Sequence, residues 1–222
     1  MANEPARRTT LIRVSISVEG DTEVEFVKRV LATHLRINGV EPIPHSLGGN
    51  VSTDRLVQRM ALLFHSHDAV TSLVDFYGFR EKGSMNREVL EQHILQEVNR
   101  RTNRSRDQSR AFPYVQQYEF EGLLFSDLNA FERAIQVLGV APDTIERLRS
   151  IREQFQTPED INDNPLTAPS KRIRQLIPRY DKKVHGPLIA AEAGLETIRA
   201  KCPLFDGWVT RLESLGNLLE SE

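Results

Sequence analysis

The chain has a single cysteine, Cys202, in 222 residues, which excludes an internal disulfide and a cysteine-rich zinc site. Set in Arg199-Ala200-Lys201-Cys202-Pro203-Leu204-Phe205, this thiol reads as a buried structural side chain rather than a nucleophile. An excess of one charge is also lacking. The 29 Lys+Arg and 31 Asp+Glu leave a formal net charge of −2, which argues against a protein that coats nucleic acid nonspecifically. No apolar run approaches the ~20 residues needed to cross a bilayer, and Met1 to Arg8 lacks the apolar centre of a signal peptide. A cytoplasmic protein with no membrane association is therefore expected. Neither an internal repeat nor a low-complexity linker is seen. The 39% hydrophobic content is that of a globular chain, long enough for one large domain or a domain with an appendage.

What the sequence does contain is an alternation of strands and helices. Residues 11–18 read as a strand. Thr22 to Asn38 follows as a helix, with Val24, Val27, Val30, Leu31 and Leu35 at helical spacing and Gly39 as its stop. Ile43 to Leu47 reads as a short edge strand because its proline cannot donate to a central ladder. After Gly48-Gly49-Asn50 a helix is expected from about Ser52 to His65. Ala69 to Phe76 is continuously apolar enough for a strand covered on both faces. A helix over Met85 to Arg101 and a strand over Phe112 to Gln116 complete the series. Beyond Phe120 the pattern is helical: Leu123–Leu138, Thr144–Phe155, Ser170–Ile177, Leu188–Ala193, and Leu195–Leu219 broken at Cys202-Pro203. The fold class expected is α/β, a mainly parallel sheet flanked by helices with a C-terminal helical extension. The division is a core over 1–128 and a helical extension over 129–222 packed on it.

Carboxylates sit where such a fold places its chemistry. Val14 to Val18 ends at Glu19, turns at Gly20, and enters a helix carrying Glu23. Leu73-Val74 ends at Asp75, and Tyr118-Glu119-Phe120-Glu121-Gly122 follows the last strand. Open α/β sheets bind ligands at the C-terminal ends of their strands. If the strands are neighbours, Glu19, Asp75, Glu119 and Glu121 converge on one edge as oxygen ligands suited to Mg²⁺ or Mn²⁺. Two such ions would clamp a phosphodiester displacement. Glu23 lies one turn beyond Glu19, and Asp127 reaches the same region if Glu119 to Asp127 turns as a helix. The simpler account of Asp21-Thr22-x-x-Glu25 is a capping box that starts the helix.

Two basic islands break the neutral average. Arg100, Arg101, Arg104, Arg106 and Arg110 face one acid, Asp107. Lys171, Arg172, Arg174, Arg179, Lys182 and Lys183 face Asp181. Such runs are usually solvated surface, yet a cleft for nucleic acid needs phosphate contacts. Arg100, Arg101, Arg104, Ser170, Lys171 and Arg172 are the candidates, with Ser170 as a cap whose helix would present free N–H groups to an anion.

At Val18-Glu19-Gly20-x-x-Glu23 the sequence resembles the opening of a Toprim domain, and its second glutamate resembles that of the overcoming-lysogenization-defect (OLD) nucleases. Over nearly the whole chain it resembles a bacterial family of unknown function classed as Toprim-like. The carrying motifs are Gly48-Gly49-Asn50-Val51, Asp75-Phe76-Tyr77-Gly78, Tyr118 to Phe125, Pro158-Glu159-Asp160-Ile161-Asn162, Thr167 to Ile173, and Cys202-Pro203-Leu204-Phe205-x-x-Trp208. The resemblance matches Glu19 to the Toprim glutamate, Glu23 to the OLD-type second glutamate and Asp75 to the first aspartate of Asp-x-Asp. Tyr77 stands where the second aspartate would be. Glu119 and Glu121 are expected to supply what Tyr77 does not, and Lys171 resembles in type the lysine that OLD nucleases bring to the developing phosphorane charge.

The expectation is thus a Mg²⁺- or Mn²⁺-dependent nucleic-acid phosphodiesterase, a nuclease or nickase, with Glu19, Glu23, Asp75 and Lys171 catalytic and Glu19, Asp75, Glu119 and Glu121 on metal. The resemblance further implies DNA, with RNA left open, as substrate, an ABC- or AAA-type ATPase as partner, and a phage-defence or mobile-element setting. A homodimer is left open. Two alternatives stand beside this reading. One makes Asp75 a phosphoacceptor. The other makes the chain a degenerate Toprim module that binds DNA or an ATPase without cleaving.

Overall fold

The computed structural model describes residues 11–103, 110–162 and 166–216. Among these residues five strands form a wholly parallel sheet in the order β2-β1-β3-β4, with β5 also pairing β3. They are β1 (Ile12–Val18), β2 (Val40–Ser46), β3 (Ala69–Asp75), β4 (Ala111–Phe112) and β5 (Val115–Gln116). β2 runs parallel to β1 from Ile12↔Val40 to Val18↔Ser46, and its Pro42 and Pro44 suit an edge. The last expected strand is split into two short pieces at Pro113, which has no N–H to give the ladder.

The pleat sends alternate residues to opposite layers. Val14, Ile16, Val18 and Leu73 enter a large apolar cluster that continues through Phe26, Phe120, Phe131, Ile189, Phe205 and Leu212, so the helices after residue 128 share the core of β1 and β3. Val70 and Val74 enter a smaller cluster against α3 (Thr53–Leu63) and α4 (Arg87–Thr102). Every residue of β3 is buried, as expected of a strand covered on both faces. The β1–β2 crossover is α1 (Asp21–Phe26), one π-helical turn (Val27–Leu31) and α2 (Ala32–Ile37).

Beyond β5 the structure departs from the expected long helix over Leu123–Leu138. Phe120–Ser126 is a 3₁₀ turn with every residue buried, followed by the short α5 (Asn129–Ala134). A segment enclosed on all sides follows its packing partners rather than its periodicity. Then come α6 (Pro142–Arg152), α7 (Pro169–Leu176), α8 (Lys182–Ala193), α9 (Leu195–Lys201) and α10 (Pro203–Gly216). The expected start of α8 at Leu188 is corrected to Lys182. Gly186-Pro187 reads as a breaker, but Asp181 caps the helix by accepting from the amides of Lys183 (2.8 Å) and Val184 (3.3 Å), and the helix runs on through Pro187. Among the described residues no helix is long and apolar enough to cross a membrane.

Two motifs far apart in sequence meet here. Buried Glu159 accepts from the amides of Leu204 (2.9 Å) and Phe205 (3.0 Å), capping α10 with a charge. Trp208 on that helix stacks on Tyr114, with ring centroids 5.0 Å apart, and donates its indole N–H to Thr71 Oγ1 at 3.0 Å. Cys202 is buried with its Sγ 3.2 Å from Ser126 Oγ, and burial pushes its thiol up to about 12, as befits a structural cysteine. Glu159→Ala removes a charged acceptor from two buried amides. It is expected to lower unfolding stability by about 2–4 kcal/mol, measured by urea denaturation, with Glu159→Gln intermediate.

Candidate active site

β1 and β3 are neighbours, so Glu19 and Asp75 leave the sheet side by side at its C-terminal rim. Asp75 stays buried, and its Oδ1 accepts the amide of Phe120 at 2.7 Å, which ties the Glu119-Phe120-Glu121 segment to the end of β3. Tyr118, just before that segment, has φ +60°, a conformation side chains other than glycine rarely adopt, and this backbone reversal aims the two glutamates. Gly78 is needed for close approach: a Cβ there would lie 3.1 Å from Glu19 Oε2 and 3.3 Å from Val51 Cβ.

At the centre is a lysine that the sequence did not single out. Lys182, the first residue of α8, places Nζ 3.1 Å from Asp75 Oδ2, 3.3 Å from Glu121 Oε2 and 3.8 Å from Glu23 Oε1. Glu23 is 1% exposed and divides its oxygens: Oε2 accepts the Gly20 amide at 2.9 Å and caps α1, while Oε1 makes no hydrogen bond. The helix thus starts after Gly20, whose amide donates to the Glu23 carboxylate in one direction only. Glu25, expected in that role, instead pairs on the surface with Lys28 and Arg29. Glu121 is fully buried and neither of its oxygens makes a hydrogen bond, so charge attraction to Lys182 is what it has. Glu119 turns outward to α7, its Oε2 accepting the Ser170 amide at 2.9 Å.

This crowding shifts protonation. Burial, with the repulsion of Asp75 and Glu19 against the pull of Lys182, raises Glu23 to about 8. Burial, again opposed by Lys182 and reinforced by Asp75 and Glu119, raises Glu121 to about 7. Glu19 is raised by burial and by Asp75. Burial alone would lower the Lys182 ammonium, but Asp75, Glu121, Glu23 and Glu19 outweigh it and hold it well above its ordinary value.

Among the described residues the remaining candidates make no ion pair with the acids around Lys182. Lys171 is exposed on α7 and makes no ion pair among the described residues. Ser170 is the second residue of α7 rather than its cap, which is Ala168, and the amide it would have offered an anion is taken by Glu119. Arg172 donates to the Thr167 carbonyl at 2.6 Å and covers the Phe155 ring. Arg100 pairs with Glu97 at 2.8 Å and Arg101 with Asp54, both in the α3–α4 layer, while Arg104 lies outside the described residues. Asp127 pairs with Arg133 at 2.8 Å, away from the cluster. Tyr77 takes the side-chain amide of Asn162 on its hydroxyl and packs on Tyr118, centroids 5.5 Å apart. Its motif partner at Pro158 to Asn162 is thereby explained structurally.

The carboxylates, Glu23 and Glu121 above all, are hard oxygen donors with unsatisfied lone pairs, which fits a divalent cation. Among the described residues no three acidic, histidine or cysteine side chains have closed into a ready ligand set; the acids are arranged about the Lys182 ammonium instead. The sequence clue to Lys182 was Asp181, a cap residue directly before it within the second basic island.

Comparison with known proteins agrees with this architecture. The chain is similar in structure to the C-terminal region of the Burkholderia pseudomallei OLD protein, with TM-score 0.52 and 18% identity over 92% of this chain and 98% of that one. The corresponding region of the Xanthomonas campestris pv. campestris OLD protein aligns with TM-score 0.49 and 16% identity over 94% and 98%. At such identity the first likeness establishes the fold, and the expected kinship with the OLD fold is borne out. No curated protein matches. Residues 18–213 match the family described as Domain of unknown function (DUF4276), and the chain belongs to that family.

Proposed function

We propose that the protein is a divalent-metal-dependent phosphodiesterase acting on nucleic acid. One observation carries the reading: Glu19, Glu23, Asp75 and Glu121 gather around a single ammonium at one rim of a parallel sheet, and a fifth carboxyl group, Glu119, lies close enough to act on Glu19 and Glu121. Fully ionised, they leave a deficit of four charges, the amount two divalent ions would neutralise. Mg²⁺ or Mn²⁺ would be held by Glu19, Asp75 and Glu121, with Glu23 and Glu119 alongside, and would supply Lewis-acid polarisation of a phosphate. The OLD-like fold favours this chemistry over phosphate transfer to Asp75, as does the closing of several acids, rather than one, on the Lys182 ammonium.

Lys182 takes the part expected of Lys171. Its ammonium already lies within the carboxylate group and its side chain is 26% exposed, which suits it to a phosphate oxygen on which negative charge grows. The amide of Phe120 fixes Asp75 and the amide of Gly20 fixes Glu23, so neither carboxylate must be ordered when substrate arrives. Tyr77 in place of a second aspartate is the feature a non-cleaving module would share, and saturable Mn²⁺ binding separates the two readings.

In plasmid nicking with Mn²⁺, Asp75→Ala, Glu121→Ala and Lys182→Met should each lower the rate about 10²-fold or more, and Lys171→Ala less than threefold. Titration calorimetry should show Mn²⁺ binding that Glu19→Ala removes. Cleavage indifferent to Asp75→Ala, or no saturable Mn²⁺ site, would sink the proposal. Without metal, Glu23 and Glu121 bind protons in the folded state that the unfolded chain has released above about pH 4.5. Stability should therefore fall as pH rises from about 5 to about 8, the opposite of a salt-bridged acid. Thermal unfolding in EDTA across that range checks this, with Glu23→Gln flattening the slope and Mn²⁺ reversing the loss at pH 8.

A further inference from the structure

Beside the carboxylates opens a cleft of about 540 Å³, a size typical of a small-ligand site. One wall includes Gly48 and Gly49 of the loop Gly48-Gly49-Asn50, whose three residues have φ of +71°, +76° and +50°. A Cβ at Gly48 or Gly49 would meet nothing within 4 Å, so the bare backbone faces open space. The loop is nonetheless rigidly held. Arg55 donates to the carbonyls of Leu47 (2.7 Å), Gly49 (2.8 Å) and Asn50 (2.6 Å), and the Gly49 amide donates to the Glu19 carbonyl at 2.9 Å.

The opposite wall carries Arg174, Tyr180 and Lys183. Arg174 is exposed and has no hydrogen bond or ion pair among the described residues. Lys183 is held only by an exposed pair with Asp21 at 3.0 Å, a contact weak enough for a phosphate to replace. The Tyr180 hydroxyl is buried and without a hydrogen-bond partner. It packs toward Gly186 of α8, 3.2 Å from where a Cβ there would be, so the ring and not the hydroxyl lines the cleft.

We propose that this cleft receives one nucleotide of single-stranded nucleic acid, its phosphate between Arg174 and Lys183 and its sugar passing over the Gly48-Gly49 backbone. The proposal rests on the phosphodiesterase reading and narrows its substrate to single strands, frayed ends and flaps. Burial decides between strand forms. Glu23 is 1% and Asp75 5% exposed, so a scissile phosphate must descend to them. A single strand can bend into the cleft, whereas a stiff duplex must deform or unpair to do so.

The test is fluorescence anisotropy with the full chain, using a labelled single-stranded 15-mer and a blunt hairpin of matching sequence, in EDTA and again with Ca²⁺. The single strand should bind at least tenfold tighter than the hairpin. Arg174→Ala should weaken it several-fold and lower the dependence on salt by about one phosphate contact. Gly49→Asn, which adds a side chain that tolerates positive φ, should weaken it while circular dichroism shows unchanged melting. Equal or tighter hairpin binding, no binding of the single strand in either buffer, or a single-strand affinity unmoved by Arg174→Ala and Lys183→Ala together, overturns the proposal. Metal-dependent cleavage with any of those results removes the subsite and leaves the phosphodiesterase; tight single-strand binding with no cleavage does the reverse.

Discussion

The attraction between the Lys182 ammonium and the surrounding carboxyl groups is the constraint on which the organisation of the molecule depends. Carboxylates this close repel each other, and burying them apart from water raises the cost further. One ammonium at 3.1–3.8 Å from three of them makes the arrangement tolerable. It also joins the two halves of the chain, since Lys182 and Asp75 are 107 residues apart. The apolar core does the same beneath, running without a break from β1 through α8 to α10.

Around this centre much of the structure serves to hold acids in place. The Phe120 amide fixes Asp75, the Gly20 amide fixes Glu23 and the Ser170 amide fixes Glu119. Backbone N–H groups suit this task because they cannot titrate and are positioned by secondary structure. Glu121 has no such support, and its two orphan oxygens mark where an incoming cation would gain most. Glu159, an acid of similar burial, is the contrast: two helix N-terminal amides and the Tyr114 hydroxyl satisfy it, and it does structural work.

The acids were legible because strand ends are. Glu19 and Asp75 each terminate an apolar run, and parallel neighbours must present their C-terminal ends together. The β-α alternation and the core-facing Val27, Val30, Leu31 and Leu35 of the β1–β2 crossover followed from periodicity. Past Phe120 that signal failed, because a wholly buried segment carries no polar face from which to read a period. Lys182 was missed for a related reason. Gly186-Pro187 hides the start of α8, although Gly186 is there for packing, with Tyr180 Oη, Thr22 and Phe120 within 3.2–3.5 Å of where its Cβ would be. Lys171 lies in a more conventional helix start, after Ala168-Pro169-Ser170.

By itself the sequence determined the α/β class, the strand and helix order up to residue 120, the acids that close the strands, and the structural character of Cys202. These follow from local rules of periodicity, capping and composition, which act over a few residues. Only the tertiary structure decided which cation meets those acids, that Glu159 caps a helix and Glu121 faces the site, and that Tyr77 is held by Asn162. Those outcomes depend on which helix packs over which strand, and that is fixed by burial of the whole core rather than by any stretch of chain.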